Sequence, residues 1–128
     1  MNRLLFWAKA TTVYGVHSPL LYGLCTDVLA ARLPAATRRR LGSRYCQAIY
    51  KLCRHYGVGF CQLEPGVVEV LAPEPIVVVR QPHRSPETER RWQMLQGGER
   101  YRVAIDCYDY ALLLTDRRLH RQHLMLIV

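Results

Sequence analysis

Ile76-Val77-Val78-Val79 is an unbroken β-branched run, ended by Arg80. Branching at Cβ restricts the side chain and favours extended backbone. A strand with one wet face alternates apolar and polar residues; this run does not, so it reads as a strand covered on both faces. The chain of 128 residues is one domain's worth of protein from which the covering layers must come. Half of its residues are hydrophobic, enough for a buried core and too many for a disordered tail.

The front half reads as helical. Asn2 to Thr12 is expected to form a short helix with Leu4, Leu5, Ala8 and Thr12 on one side and Gly15 as its stop. Ser18-Pro19 restarts the chain, since serine can accept from free first-turn amides and proline fits just after it. Leu21, Leu24 or Cys25, and Val28 follow at helical spacing, up to about Leu33 before Pro34. A third helix is predicted from Pro34 to Tyr56, stopped by Gly57. Its buried stripe is Leu41, Tyr45, Ile49, Leu52 and Tyr56, and a separate stripe carries Arg40, Arg44, Gln47, Lys51 and Arg54.

The pattern changes after Gly59. Gly66 to Leu71 is a strand candidate, broken by Ala72-Pro73-Glu74-Pro75 ahead of the β-branched run. Ser85-Pro86 repeats the helix-start grammar, Glu87 and Glu89 suit the positive end of the helix dipole, and Gly97-Gly98 ends the helix after Trp92 and Leu95. From Tyr101 the side chains alternate, with Tyr101, Val103, Ile105 and Cys107 one way and Arg102, Ala104 and Asp106 the other. Asp109 turns the chain, Ala111 to Thr115 is a strand, Asp116 to Arg121 a connection, and His123 to Val128 a last strand. The predicted fold is α/β or α+β: N-terminal helices packed on a small mixed sheet that ends in an antiparallel hairpin. Residues 1–128 form a single domain, helical and basic over 1–58 and strand–helix–hairpin over 59–128.

Net charge is +8, and every basic residue except Lys9 and Lys51 is arginine. Such a balance points to an anionic partner, nucleic acid or an acidic protein surface. Arg38, Arg39, Arg40, Arg44, Lys51 and Arg54 form the candidate patch, weighed against an ordinary solvated helix face. Tyr45 and Tyr56 belong to the apolar stripe, so core packing outweighs base stacking for them; Tyr108 and Tyr110 are expected to form an exposed aromatic rim for a protein partner. The five cysteines, Cys25, Cys46, Cys53, Cys61 and Cys107, include no CxxC pair and read as free thiols of a reducing cytosol. Lys9 interrupts the only signal-like start, and no run approaches the ~20 apolar residues that cross a bilayer. The expected location is therefore cytoplasmic, away from membranes. His120 and His123 could share a helix face, but two ligands do not make a metal site, and Cys46, Cys53, His55 and Cys61 lack zinc spacing. His83 shows no carboxylate or cysteine at short range, and Asp106 and Asp109 are too loosely placed for paired-carboxylate chemistry. No metal is expected.

Tyr14-Gly15-Val16-His17-Ser18-Pro19, followed by an apolar helix, resembles the N-terminal signature of a group of bacterial class I S-adenosylmethionine-dependent methyltransferases. Ile76 to Val79, then His83-Arg84-Ser85 and Trp92, resembles that group's late core strand and the helix after it. Val103 to Leu114 is similar to its terminal antiparallel hairpin, His120 to Val128 to its closing strand, and Tyr50 to Arg54 to the helix that leads into its first core strand. The resemblance implies a candidate pocket around His17, His83, Ser85 and Trp92. It also implies a glycine-rich turn after the first strand, where backbone can approach the cofactor. Here Gly57-Val58-Gly59 precedes a strand, and after Val67 to Leu71 stand two prolines, which remove amide donors. The chain therefore looks like an internally deleted relative. The leading expectation is a non-catalytic, truncated methyltransferase-like core with no cofactor, acting through surface contacts, its face of Val and Ile covered either by the N-terminal helices or by a second copy in a homodimer. The alternatives are a nucleic-acid-binding or protein-interaction module built on the Arg38 to Arg54 helix and, more weakly, an active S-adenosylmethionine-dependent methyltransferase.

Overall fold

The computed structural model describes residues 1–12 and 15–128. Tyr14, the first residue of the HSP-containing signature, lies outside them. The elements are α1 (Arg3–Lys9), α2 (Pro19–Gly23), α3 (Ala35–Leu41), α4 (Arg44–Tyr56), β1 (Phe60–Glu64), β2 (Val67–Val70), β3 (Ile76–Arg80), α5 (Pro86–Gln96), β4 (Val103–Asp106), β5 (Tyr110–Leu114) and β6 (Gln122–Met125). α2 runs straight on into π-helical turns over Leu24–Leu29. The fold is α+β: N-terminal helices, then a six-stranded mixed sheet of order β1-β2-β3-β5-β4-β6.

The β-branched run lies inside this sheet, as a doubly covered strand must. β3 pairs antiparallel with β2 on one side and β5 on the other. β5 also pairs antiparallel with β4, so β3 and β4 run the same way on either side of it, and β6 joins β4 in parallel. Side chains alternate across the sheet. Val68, Val70, Ile76, Val78, Ile105 and Leu112 meet Ala48 and Leu52 of α4 and Cys25 and Val28 of the π-helical turns. On the opposite face Val77, Val79, Ala104 and Leu113 meet Trp92 of α5. Of the two covers expected for the Val and Ile face, the chain's own helices are the one present.

The predicted helix from Pro34 to Tyr56 is two helices. Gly42 sits at φ +77°, which leaves the right-handed helical region and turns the chain between α3 and α4. Ser43 then caps α4, its Oγ accepting from the Cys46 amide at 3.1 Å. The second helix ends at Leu29, short of Leu33, because Lys51 Nζ donates to the carbonyls of Leu29 (2.7 Å) and Ala31 (3.2 Å). These bonds satisfy acceptors that a longer helix would have used internally.

α1 is shorter than predicted and buries Phe6, leaving Leu4 and Leu5 at 81% and 53% exposure. The chain after it pairs Thr11 in parallel with Leu126, beside β6. α5 starts as expected, Ser85 and Thr88 forming a reciprocal capping box. β1 was not anticipated: Phe60–Glu64 is an edge strand with mostly exposed side chains, so it lacks the alternation that marks a half-buried strand. His120 and His123 do not share a helix face; one stands in the connection before β6 and the other within it. No helix among the described residues is long and apolar enough to cross a membrane.

Two outcomes test this packing. Burial pushes the Cys25 thiol up to about 11 and raises Cys107 further, whereas Cys46 is exposed. Thiolate is the reactive form, so an Ellman titration of the native chain should label Cys46 quickly and leave Cys25 and Cys107 unmodified until urea unfolds it. Fast labelling of Cys25 in the native state would contradict the core. Gly42→Ala should lower stability by about 1 kcal/mol or more, read as a lower urea midpoint, because alanine is strained at positive φ.

Candidate functional site

β3 and β4 point their carboxyl ends to the same rim of the sheet, and the polar cluster stands there. Asp106 ends β4 on the α5 side and is nearly buried. Its Oδ2 accepts from His83 Nε2 at 2.5 Å and from Trp92 Nε1 at 3.2 Å. Its Oδ1 accepts from the Tyr108 amide at 2.9 Å. A carboxylate offers only acceptor sites, so the proton in the short bond is assigned to His83 Nε2. The other ring nitrogen, Nδ1, lies 3.5 Å from Glu89 Oε1 without forming a hydrogen bond. Glu89 in turn pairs with the Met1 amino group.

Aromatic rings pack against His83 as well. Tyr108 stacks on it with an interplanar angle of 20° and centroids 5.2 Å apart, and Phe6 of α1 packs at 5.8 Å. Arg3 lies 4.4 Å over the Tyr108 ring and binds Asp109 at 2.7 Å. Two non-glycine residues with positive φ flank the cluster: Gln81 at 42° after β3, and Tyr108 at 69° after β4. Such conformations cost on the order of 1–3 kcal/mol each and persist only where their surroundings fix them. Here the Gln81 amide donates to the Asp109 carbonyl at 2.9 Å, and Tyr108 donates to Asp106.

Of the residues placed around a pocket by the sequence, His83 and Trp92 meet on one carboxylate. Ser85 adjoins them as the cap of α5, and His17 is exposed on the segment before α2. Sequence reading found no partner for His83 because Asp106 stands 23 positions away, joined to it only by sheet order. The available signal was an acidic residue on the inward side of the Ala104, Asp106 alternation. The expected exposed rim of Tyr108 and Tyr110 is corrected: Tyr110 is 2% exposed beneath the sheet, and Tyr108 is half-buried against His83. Chemically, one nitrogen of His83 is bound, the other faces a carboxylate, and Tyr108 stacks on the ring. The Ser85 hydroxyl is engaged with Thr88, and desolvation holds the Cys107 thiol protonated, so the arrangement supplies no free nucleophile–base pair. Among the described residues no group of three or more His, Cys, Asp and Glu could hold a metal ion.

The three glycines with positive φ serve elsewhere: Gly42 and Gly57 close α3 and α4, and Gly66 turns β1 into β2. No glycine follows β2 or β3; Leu71 to Pro75 return the chain antiparallel into β3.

The basic residues divide. Arg38, Arg44 and Lys51, with Arg32, line a cleft of about 560 Å³ between the loop after the π-helical turns and α3–α4. Lys51 is half-buried and held below the usual lysine range, by burial first and by the neighbouring Arg44 second. Arg44 donates to the Val128 oxygen and lies 3.8 Å from Asp109. Arg39, Arg40 and Arg54 are exposed outside the cleft, so the six do not make one continuous stripe.

The chain matches no protein-family model, no curated protein and no solved structure.

Removing the Asp106 carboxylate should strand three donors at once. Asp106→Leu is expected to cost about 3 kcal/mol or more, because the buried imidazole and indole N–H lose their acceptor. Glu89→Gln, at a quarter exposed, should cost under about 1 kcal/mol. Equal urea midpoints for the two variants would show that the cluster does not pin the sheet rim.

Proposed function

We propose that this chain is a non-catalytic, truncated methyltransferase-like protein. The observation that carries the reading is the antiparallel return of Leu71 to Pro75 into β3, where the resemblance calls for a glycine turn; the rim at the carboxyl ends of β3 and β4 is only partly filled. In open α/β sheets ligands enter at that end of parallel strands. Here His83, Tyr108 and Phe6 pack into part of that place, beside a cavity of about 250 Å³ lined by His83, Glu89, Trp92 and Asp106. The strand order gives further support. β3, α5, β4 and β5 follow in sequence, with β5 inserted antiparallel between β3 and β4, in keeping with a late core strand, its helix and a closing hairpin. Where that resemblance calls for parallel strand–helix units and a glycine turn, the chain has the antiparallel meander β1–β2–β3.

On this reading the retained half of the sheet is a scaffold, and the chain works through its surface. Calorimetry with S-adenosylmethionine and with its demethylated product tests the proposal. The expected result is no saturable heat with the intact chain at millimolar ligand. Tight stoichiometric binding of either compound would overturn it and restore the active-methyltransferase alternative.

A further inference from the structure

The cleft beside α3 and α4 has a character that the scaffold reading does not use. Arg32, Arg38, Arg44 and Lys51 line it together with Gln47 and Tyr110, and no acidic side chain does. Its volume of about 560 Å³ falls within the ~300–1,000 Å³ of small-ligand pockets. Like charges brought together in a concave wall repel, and an unoccupied arrangement of this kind is unfavourable by itself.

The four cations are not equivalent. Lys51 is spent on the Leu29 and Ala31 carbonyls, and Arg44 on Val128 and Asp109. Both are fixed by these contacts and act as charge held in place. Arg38 differs. Its Nε is buried and has no hydrogen-bond partner among the described residues. A buried, charged donor without an acceptor costs more than the ~1–3 kcal/mol of a neutral one. Arg32, exposed at the mouth, has no hydrogen bond or ion pair to a described residue either. A planar guanidinium fork presents parallel N–H donors that match the oxygens of a phosphate group.

We propose that this cleft binds the phosphate group of a small phosphorylated molecule, with Arg38 and Arg32 as direct donors and Lys51 and Arg44 as fixed positive charge behind them. A phosphate takes several donors at once and carries more than one negative charge, which suits four cations better than a single carboxylate does. A concave cleft admits such a group endwise. Arg39 and Arg40, which a nucleic-acid backbone would also use, stand outside it. The proposal is independent of the methyltransferase-like reading, since the charged wall of the cleft comes from the N-terminal helices and S-adenosylmethionine carries no phosphate.

The test uses the full chain, ¹⁵N-labelled, titrated with inorganic pyrophosphate and followed at the arginine Nε–Hε resonances. The Arg38 and Arg32 signals should shift saturably. Arg38→Gln should weaken binding about tenfold or more, the loss of a charge-assisted hydrogen bond. Arg32→Gln, a change on an exposed loop that leaves the fold intact, should also weaken it, and Arg39→Gln should leave it within about twofold. Three results would overturn the proposal: no saturable shift, equal losses in Arg38→Gln and Arg39→Gln, or tighter binding of a short DNA duplex that depends on Arg39 and Arg40. The last would reassign the region as a nucleic-acid surface.

Discussion

The Asp106 carboxylate joins four parts of this molecule. It ends β4, accepts from the loop after β3 through His83, from α5 through Trp92, and from the turn into β5 through the Tyr108 amide. A buried carboxylate with one partner would be a liability, since its desolvation outweighs a single contact. With three donors the charge is spread over both oxygens, and each donor gains an acceptor it could not find in an apolar wall. The arrangement also explains the two strained residues. Gln81 and Tyr108 are held at positive φ because the same network fixes the chain on either side of them.

The two faces of the sheet have different work. On the α4 side the contacts are almost wholly apolar, and burial there suppresses the ionisation of Cys25, Cys107 and Tyr110. On the α5 side a smaller apolar set gives way, at the strand ends, to the polar cluster. Exposed pairs such as Arg100 with Glu69 ride on the same face and add little to stability. The chain's positive charge gathers on the helical side, in the cleft and on α3 around it.

How much of this could be read beforehand depended on whether the cause was local. Ile76 to Val79 announced a doubly covered strand because burial on two faces leaves a mark at every position. Ser85-Pro86 announced a helix start because the cap bonds lie within three residues. The alternation from Tyr101 sorted Val103, Ile105 and Cys107 from Ala104 and Asp106 as expected, but Tyr101, read on the Val103 side, packs with Ala104 on the other core because the strand starts only at Val103. The break at Gly42 was hidden because one glycine is tolerated in many helices, and only the positive φ shows that it ends this one. The His83–Asp106 contact was hidden for a different reason. It follows from β5 lying between β3 and β4, and no short window of sequence contains that order.

Phe6 of α1 lies against a histidine far along the chain, and Arg3 grips an aspartate 106 positions away. The loop-closure cost of such a contact exceeds that of any neighbouring hairpin, so α1 adheres only to a surface that already exists. Its seven residues are too few to hold a helix in water unaided. The opening segment is therefore a cork held by the bottle it closes, and it shields one flank of an imidazole.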